Sequence, residues 1–226
     1  MATTAHIARL THDALAIRGG LRAAGVTSFV QRSLEEVLEK EGCVLDTDCG
    51  VMTRLKSTES IRDKMMRKQD KYKTAGDMTD YLGSKLVVRD EQEVYEYMQL
   101  LKSRYEALED SRTLYNDPKH VCNMLKTDFM VEGHRVEVQV QTAFDYYVHE
   151  LEHNLVYKNP RKTFSFSERN MFIQSIKSLV NEYYSGDIKK IRMEPDERVL
   201  NRVIKLVDDY IDKRIPPRMN WRGQAI

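Results

Sequence analysis

The stretch that decides the fold is VEVQVQ, Val136–Gln141, in which every second residue is a valine. Successive side chains of a β-strand point to opposite faces, so the valines face one side and the glutamate and two glutamines face the other. The strand is predicted over 135–142, and a partner strand over 126–132 is joined to it at Glu132–His134. On its own, this alternation is typical of a half-exposed strand with a solvated polar face.

Helices and strands are mixed on both sides of this strand. The pattern predicts strands at 50–55 and 80–89, and helices at 27–41, from Ser57 or Thr58 to about 71, from Asp90 to about 105, and at 143–158, 166–185 and 195–213. Strands mixed with helices and followed by a helical tail indicate an α/β or α+β fold. We therefore expect a mixed β-sheet flanked by helices, with helical extensions at both termini.

The composition excludes several classes of protein. The chain has 226 residues, 41% of them hydrophobic, and a net charge of +1, which suits a soluble globular protein without an overall bias toward nucleic acid. It has no apolar run of the roughly 20 residues that span a bilayer and no N-terminal segment typical of a cleaved signal, so a cytoplasmic site of action is expected. Three cysteines at irregular spacing, Cys43, Cys49 and Cys122, favour free thiols over a disulfide framework.

The charged residues point to phosphate chemistry. The segment 54–73 holds eight basic and three acidic residues, which predicts a local cationic surface. Asp80 opens a strand that contains a glycine, and Glu137 lies on the alternating strand. An aspartate and a glutamate on neighbouring strands can hold one Mg²⁺, while the cationic segment neutralises a polyphosphate. Such a set suits phosphoryl or nucleotidyl transfer, where positioning and charge stabilisation supply most of the catalysis.

Four stretches resemble RelA/SpoT-type alarmone synthetases in their order and rough spacing. They are RLKSTESIRDKMMRK at Arg54–Lys68, DYLGSK at Asp80–Lys85, VEVQVQT at Val136–Thr142 and LEHNLVYK at Leu151–Lys158. The resemblance implies a nucleotidyltransferase-like fold and transfer of the β,γ-pyrophosphate of ATP to the 3′-hydroxyl of a purine nucleotide. It also implies an N-terminal helical extension at 1–48, a synthetase core at 49–160 and a C-terminal helical extension at 161–226 packed on that core.

The resemblance assigns roles on the donor side of the reaction. The residues expected to bind ATP are Arg54, which would pack on the adenine, and Lys56, Ser60, Lys64, Arg67 and Lys85. Lys85 stands where the family has an arginine, so it keeps the charge but lacks the planar fork. Asp80 and Glu137 are expected to hold Mg²⁺, and Glu137 to help remove the proton of the acceptor hydroxyl.

The acceptor side departs from the family pattern. The family loop has a tyrosine that stacks on guanine, whereas the corresponding segment here is DPKHVCNMLKT, Asp117–Thr127. The tyrosine position falls on Asn123 and the histidine position on Thr127, and the resemblance assigns acceptor binding to Lys119, Asn123 and Gln139. A second departure is Gln141, which stands in the place of an arginine. An adenine nucleotide is therefore favoured as the acceptor, with GDP or GTP, and the 3′ end of tRNA, as alternatives.

The resemblance to the toxin branch of the family extends to partners. In that branch the synthesis of adenosine alarmones drains ATP, and an antitoxin or immunity protein holds the enzyme. The expected partners are thus ATP, the acceptor nucleotide and such a protein, with no membrane and no nucleic acid beyond a tRNA end. The resemblance to small members of the family is compatible with a homo-oligomer. The resemblance to the toxin members is compatible with delivery into a target cell.

HELEH, at His149–His153, supports a competing hypothesis. It is the H-E-x-x-H signature of zinc metalloproteases, and Glu168 and Glu182 are the candidates for a third ligand. The resemblance instead places Glu152 and His153 near the nucleotide site as supports, and leaves His149 as a helix-surface residue. Tyr157, at helical spacing from Tyr146 and Leu151, is expected in the core. A catalytically silent nucleotide-binding module is the third hypothesis, and the presence of both Asp80 and Glu137 argues against it.

Overall fold

The computed structural model describes residues 4–42, 50–68, 71–108, 112–113, 123–187, 190–191 and 196–212. Within them the α-helices are α1 (Thr4–Ala23), α2 (Val26–Lys40), α3 (Thr58–Arg67), α4 (Glu91–Arg104), α5 (Ala143–Glu152), α6 (Phe166–Tyr183) and α7 (Glu197–Ile211). The strands are β1 (Gly50–Leu55), β2 (Leu82–Val88), β3 (Glu106–Ala107), β4 (Arg112–Thr113), β5 (Leu125–Val131) and β6 (His134–Thr142). The three cysteines and Lys119 lie outside the described residues.

The strands form one mixed sheet in the order β1-β2-β6-β5-β3, with β4 also paired to β5. β2 and β6 are parallel, and the other pairs are antiparallel. Glu132 and Gly133 have positive φ values of 50° and 76°, as expected for the two central residues of the tight hairpin between β5 and β6. This turn fixes the register, and the predicted mixed sheet flanked by helices is confirmed.

One face of the sheet is covered by α2 and α4. The three valines of VEVQVQ, together with Leu82 and Leu86 of β2, point into this core and are almost fully buried. Their partners are apolar residues of the two helices, including Val30 and Met98. The valines alternate with polar residues because one face of the sheet packs against helices.

The other face is covered at one end only. Helix α5 packs over Val87 of β2, and α6 and α7 pack on α5 to form a second core. Gln141 lies at this end and is fully buried, so the expectation that every polar residue of the strand is solvated is wrong there. At the other end the sheet face is open, and α1 packs beside it against α3 through Leu10 and Ile61.

Local sequence signals determine where α3 and α4 begin. The side chain of Ser57 accepts a hydrogen bond from the amide of Ser60 and caps α3, and Asp90 caps α4 through the amide of Glu93. Helix α3 ends at Arg67 and not near 71. No helix in the described ranges combines the length and the apolar character required to cross a bilayer.

Candidate functional site

The site is built on a row of residues that crosses four strands. Arg54 on β1 pairs with Gly83 on β2, Gly83 pairs with Glu137 on β6, and Glu137 pairs with Asp128 on β5. Directly opposed residues share a face of a sheet, so this row lies on the open face. Gly83 has no side chain and leaves space between the guanidinium side chain and the carboxylate. The nearest atom to a Cβ built on Gly83 would be the Glu137 carbonyl oxygen, at 3.9 Å.

A cavity of about 470 Å³ lies over this row. The size is within the range of small-molecule sites. Its walls come from β1, α3, β2, β6 and the residues after α5. The charged and polar lining residues are Arg54, Lys56, Ser57, Ser60, Asp63, Lys64, Arg67, Asp80, Glu137, His153, Tyr157 and Lys158. Cations outnumber carboxylates in this set, which suits an anionic ligand.

Asp80 sits between two lysines of the cavity wall. Lys56 Nζ and Lys64 Nζ donate to the same oxygen, Asp80 Oδ2, at 2.9 and 2.6 Å. Burial alone would raise the pKa of Asp80, but the hydrogen bonds from Lys64 and Lys56 lower it to about 2. Burial opposes the charge of Lys64, and the hydrogen bond to Asp80 nevertheless raises the pKa of Lys64. Asp80 and Lys64 are therefore both charged at neutral pH.

Helix α3 supplies a cationic face to the cavity. Its first turn, with Ser57 and Ser60, borders the cavity, and Lys64 and Arg67 follow on the same side. Arg67 donates to Asp63 at 2.9 and 2.5 Å. Burial and the neighbouring charges of Lys64, Lys71 and Arg67 lower the pKa of Lys68. This crowding shows an excess of positive charge that a polyphosphate would relieve.

Both carboxylate oxygens of Glu137 are engaged. Gln139 Nε2 donates to Glu137 Oε1 at 2.7 Å, and Lys126 Nζ forms an ion pair with Glu137 Oε2. Next to this pair, Arg135 donates to Asp128 through Nε and Nη2 at 2.9 and 2.6 Å. The β5 side of the row is thus a set of two diagonal ion pairs.

The donor set fits the Mg²⁺ that the resemblance implies. Asp80 Oδ1 is buried and has no hydrogen-bond partner among the described residues, although Oδ2 receives two lysines. Asp80 and Glu137 line the same cavity. A buried carboxylate oxygen without a partner is costly unless it binds a cation or water. Hard carboxylate oxygens are the ligands that Mg²⁺ prefers, and it commonly takes one or two of them plus substrate phosphates.

The family model described as a region found in RelA / SpoT proteins matches residues 53–162. The chain contains a RelA/SpoT-type domain. Every residue that lines the cavity falls inside the matched segment. A comparison with curated proteins gives no match.

Solved structures with a similar fold include small alarmone synthetase 1 from Bacillus subtilis bound to its product pppGpp. The TM-score is 0.51 at 14% identity, over 88% of this chain and 94% of that chain. A GTP pyrophosphokinase family protein from Streptococcus pneumoniae gives 0.44 at 17% identity, over 89% and 87% of the two chains. The complex between the Type VI effector Tas1 and its immunity protein gives 0.40 at 11% identity, over 94% and 100%. At 14% identity, the similarity to small alarmone synthetase 1 shows a shared fold and nothing more.

Seven of the residues predicted from the sequence lie together on the cavity of the RelA/SpoT domain. They are Arg54, Lys56, Ser60, Lys64, Arg67, Asp80 and Glu137. Gln139 is one hydrogen bond away, through Glu137. The spacing in α3 and the parallel pairing of β2 with β6 bring these residues together. Their roles in binding and catalysis remain predictions.

Lys85 is placed differently from the expectation that it binds ATP. Its Nζ forms an ion pair with Glu150 Oε1, lies 3.5 Å from His149 Nδ1 and sits 4.9 Å from the centroid of the Tyr146 ring. It is buried under α5 and does not line the cavity. Lys85 points away from the cavity because α5, from a distant part of the chain, supplies Glu150 as its counter-ion. Lys85 therefore ties β2 to α5.

The same contacts correct the interpretation of His149. Its ring is half-buried between Lys85 and the ring of His153, so it is not a helix-surface residue. Glu150 is held by Lys85, Glu168 by Lys162 at 2.6 Å, and Glu182 by Arg202 at 3.1 Å. Among the described residues no cluster of three metal-ligating side chains exists. HELEH thus packs α5 on the sheet, and the metalloprotease hypothesis has no support in its contacts.

His149 gives the RelA/SpoT domain a pH-dependent stability. Burial and the charge of Lys85 lower the pKa of His149 from its ordinary 6.5. Its contribution to stability is complete above pH 6.5 and is lost as the pH falls, because only the unfolded chain then takes up the proton. We expect the free energy of unfolding to fall by up to about 1.4 kcal/mol per pH unit between pH 6 and 5 on this account.

Urea unfolding of the wild type and of His149→Gln between pH 7.5 and 5 tests this prediction. The variant should lose part of the slope between pH 6 and 5; the remainder is expected from His153, because burial also lowers its pKa. His134→Gln, at the hairpin, is the matched control and should keep the wild-type slope. If the free energy of unfolding changes equally with pH in the wild type and in His149→Gln, burial of this imidazole does not cause the loss of stability at low pH.

The structure shows where Thr127, the position of the family's histidine, lies in the fold. Thr127 pairs with Val138, is almost fully buried and faces the core under α2 and α4, so it cannot meet a ligand on the open face. Lys126 points to the open face instead. The signal was in the sequence, because a two-residue turn at 132–133 sets 128 opposite 137 and 126 opposite 139.

Asn123 is not brought to the cavity wall. It precedes β5, whose first residue, Leu125, pairs with Val140. Val140 is about 10 Å along the strand from Glu137, and Asn123 lies farther in the same direction. Its backbone amide donates to Asp145 Oδ1 at 3.3 Å, near the start of α5.

Three residues after α5 line the cavity; Tyr157 and Lys158 were not predicted to contact a ligand, whereas His153 was expected as a support near the nucleotide site. His153 and Tyr157 are the two ends of a single π-helical turn, His153–Tyr157, that follows α5, and Lys158 comes directly after it. The Tyr157 ring stacks on His153 at 5.4 Å between centroids and is 44% exposed, so it is not a core residue. A π-turn within a helix is frequent at functional sites, and helical spacing alone does not reveal it.

Proposed function

We propose that this chain is an ATP-dependent pyrophosphokinase that transfers the β,γ-pyrophosphate of ATP to the 3′-hydroxyl of a purine nucleotide, with an adenine nucleotide as the preferred acceptor. The observation that carries the proposal is the shared cavity of Asp80 and Glu137, walled by cations. The match of residues 53–162 to the RelA/SpoT family supports the reaction class.

The reaction requires one bond to form and one to break. The acceptor 3′-oxygen bonds to the β-phosphorus of ATP, and the bond between that phosphorus and the oxygen bridging to the α-phosphate breaks. AMP leaves with the electron pair, and the proton of the 3′-hydroxyl passes to a base, which we assign to Glu137. Asp80 and Glu137 would hold a Mg²⁺, which would supply charge stabilisation to the phosphates. Lys56, Lys64 and Arg67 would hold the remaining phosphate charge.

Arg54 is proposed to hold the donor base. It is exposed at the β1 edge of the row, where its guanidinium can stack on an adenine ring while the phosphates extend toward Asp80. We expect Arg54→Ala to raise the KM for ATP about tenfold, because stacking on a base is worth roughly 1–3 kcal/mol. Steady-state kinetics measures the effect, with Arg32→Ala on α2 as a control for loss of an exposed arginine. An unchanged KM for ATP would show that the adenine of the donor does not bind at Arg54.

The adenine preference rests on the departure from the family's acceptor loop. In the family loop the tyrosine that corresponds to Asn123 stacks on guanine, a contact worth roughly 1–3 kcal/mol, whereas Asn123 has no aromatic ring and its backbone is held at the start of α5. AMP, ADP, GDP and GTP are each incubated with Mg²⁺ and an equal concentration of ATP, a reaction with ATP alone tests ATP as the acceptor, and mass analysis of the products identifies the acceptor. A guanosine 3′-pyrophosphate as the main product would favour the stringent-response alternative.

A toxin role follows from the adenine acceptor. When ATP serves as both donor and acceptor, each turnover removes two ATP molecules and leaves AMP and an adenosine 5′-triphosphate that carries a 3′-pyrophosphate. Such an enzyme would act in the cytoplasm of the affected cell and would need a neutralising partner protein in any cell that makes it. Growth arrest on induction of the wild type, and its absence with Glu137→Gln, is the corresponding test.

A further inference from the structure

We infer that Lys126 is a positioning residue that exchanges partners during the reaction: it holds Glu137 in the ligand-free protein, leaves it when a divalent cation binds there, and then binds a phosphate of the acceptor. The inference rests on the proposed function for its second half only. Its first half concerns the ion pair between Lys126 Nζ and Glu137 Oε2.

The surroundings of the pair show why Lys126 is the exchangeable member. The neighbouring carboxylate, Asp128, is held by two donors of Arg135 on one oxygen and is 9% exposed, so that pair is fixed. Lys126 is 31% exposed and reaches Glu137 diagonally across the two strands. A lysine on a flexible stem at the edge of the solvent can turn away without moving the backbone.

Charge counting gives the direction of the exchange. On the β5 side of the row, the carboxylates Asp128 and Glu137 are balanced by Arg135 and Lys126. A divalent cation on Glu137 leaves an excess of positive charge beside Lys126. Like charges within a few ångströms repel, and the ammonium group then gains by moving to another anion.

The position of Lys126 identifies that anion. The proposed donor occupies the β1 and β2 side of Glu137, with Arg54, Lys56 and Asp80. An in-line displacement at the β-phosphorus places the acceptor on the side of that phosphorus away from the leaving AMP. Lys126 lies on β5, across Glu137 from the donor wall, so the acceptor's phosphate is the anion within its reach.

The metal half of the inference is tested by Mn²⁺ binding to the ligand-free protein, measured by electron paramagnetic resonance. Lys126→Met should bind Mn²⁺ roughly fivefold more tightly than the wild type, because a competing cation has been removed. In the Glu137→Gln background the same substitution should change the affinity little. Lys126→Arg should restore the wild-type value, and Lys205→Met on α7 should match the wild type. Unchanged or weaker Mn²⁺ binding in Lys126→Met overturns this half.

The acceptor half is tested by calorimetric titration with ADP, in the presence of Mg²⁺ and saturating α,β-methylene-ATP. Lys126→Met should bind ADP about tenfold more weakly and Lys126→Arg nearly normally, since one charge-assisted phosphate contact is lost. Equal affinity of Lys126→Met and the wild type overturns it. Tighter Mn²⁺ with weaker ADP is a pair of opposite shifts that loss of folding cannot produce.

Failure of the proposed function is distinguishable from failure of this inference. If the wild type makes no pyrophosphorylated nucleotide while both binding results are as expected, the exchange stands and the reaction assignment fails. If the wild type transfers pyrophosphate and Lys126→Met changes neither binding constant, the reaction stands and the exchange fails.

Discussion

Glu137→Gln is expected to lower kcat/KM for pyrophosphate transfer by about 10³-fold, the size typical of a lost general base. The amide keeps the shape of the side chain and can still accept the hydrogen bond from Gln139, but it has no charge for Mg²⁺ or for a proton. The strand beneath it stays in place because the valines of β6 are buried on the opposite face. The variant should therefore unfold at nearly the wild-type urea concentration.

Glu182→Gln is the matched control for this experiment. It also removes one carboxylate from an ion pair, with Arg202, but lies on α6 away from the cavity. Its activity should equal that of the wild type. Transfer by Glu137→Gln within tenfold of the wild type would contradict the assignment of the base.

Asp80→Asn is expected to reduce transfer at least 100-fold and also to destabilise the ligand-free protein. The loss of activity follows from the loss of the second carboxylate of the proposed metal site. The loss of stability follows from Lys56 and Lys64, which keep their positive charges but no longer share a counter-ion. The wild-type pKa of Asp80 is about 2. Its side chain is partly exposed, so we expect about 1–2 kcal/mol in the free energy of unfolding at pH 7.

The pH dependence of that difference checks its origin. A carboxyl whose folded pKa is lowered stabilises the fold above its unfolded pKa of 3.8, and this contribution is lost as the pH falls toward 2. The gap between Asp80→Asn and the wild type should thus be complete at pH 7 and shrink between pH 4 and 2. Asp208→Asn, which breaks an exposed ion pair with Arg161, should differ from the wild type by less than about 0.5 kcal/mol. A gap that is independent of pH would assign the effect to packing.

The sequence predicted the sheet well because its signals there are local. The alternation at 136–141 and the two-residue turn at 132–133 determine both the buried face and the register of β5 against β6. Capping residues, Ser57 and Asp90, marked the starts of α3 and α4. The seven site residues lie on β1, α3, β2 and β6 or within two residues of them, and they meet on one cavity.

The errors arose where a distant element covers a residue. The surroundings of Lys85 depend on Glu150 and His149 of α5, more than 60 residues later in the chain, and no local pattern encodes that contact. The exposure of Tyr157 depends on a π-turn that helical spacing does not reveal. Lys126 is a different case, because the register that places it beside Glu137 was available from the turn, whereas the family motif assigned acceptor binding to Lys119, Asn123 and Gln139.

The most direct measurement of the central claim is the fate of the ATP phosphates. The wild type is incubated with Mg²⁺, ATP and a mixture of adenine and guanine nucleotides, and the products are resolved by mass. The predicted result is AMP and a nucleotide 3′-pyrophosphate in equal amounts, absent with Glu137→Gln. Formation of ADP and free phosphate, or of no product, would contradict it.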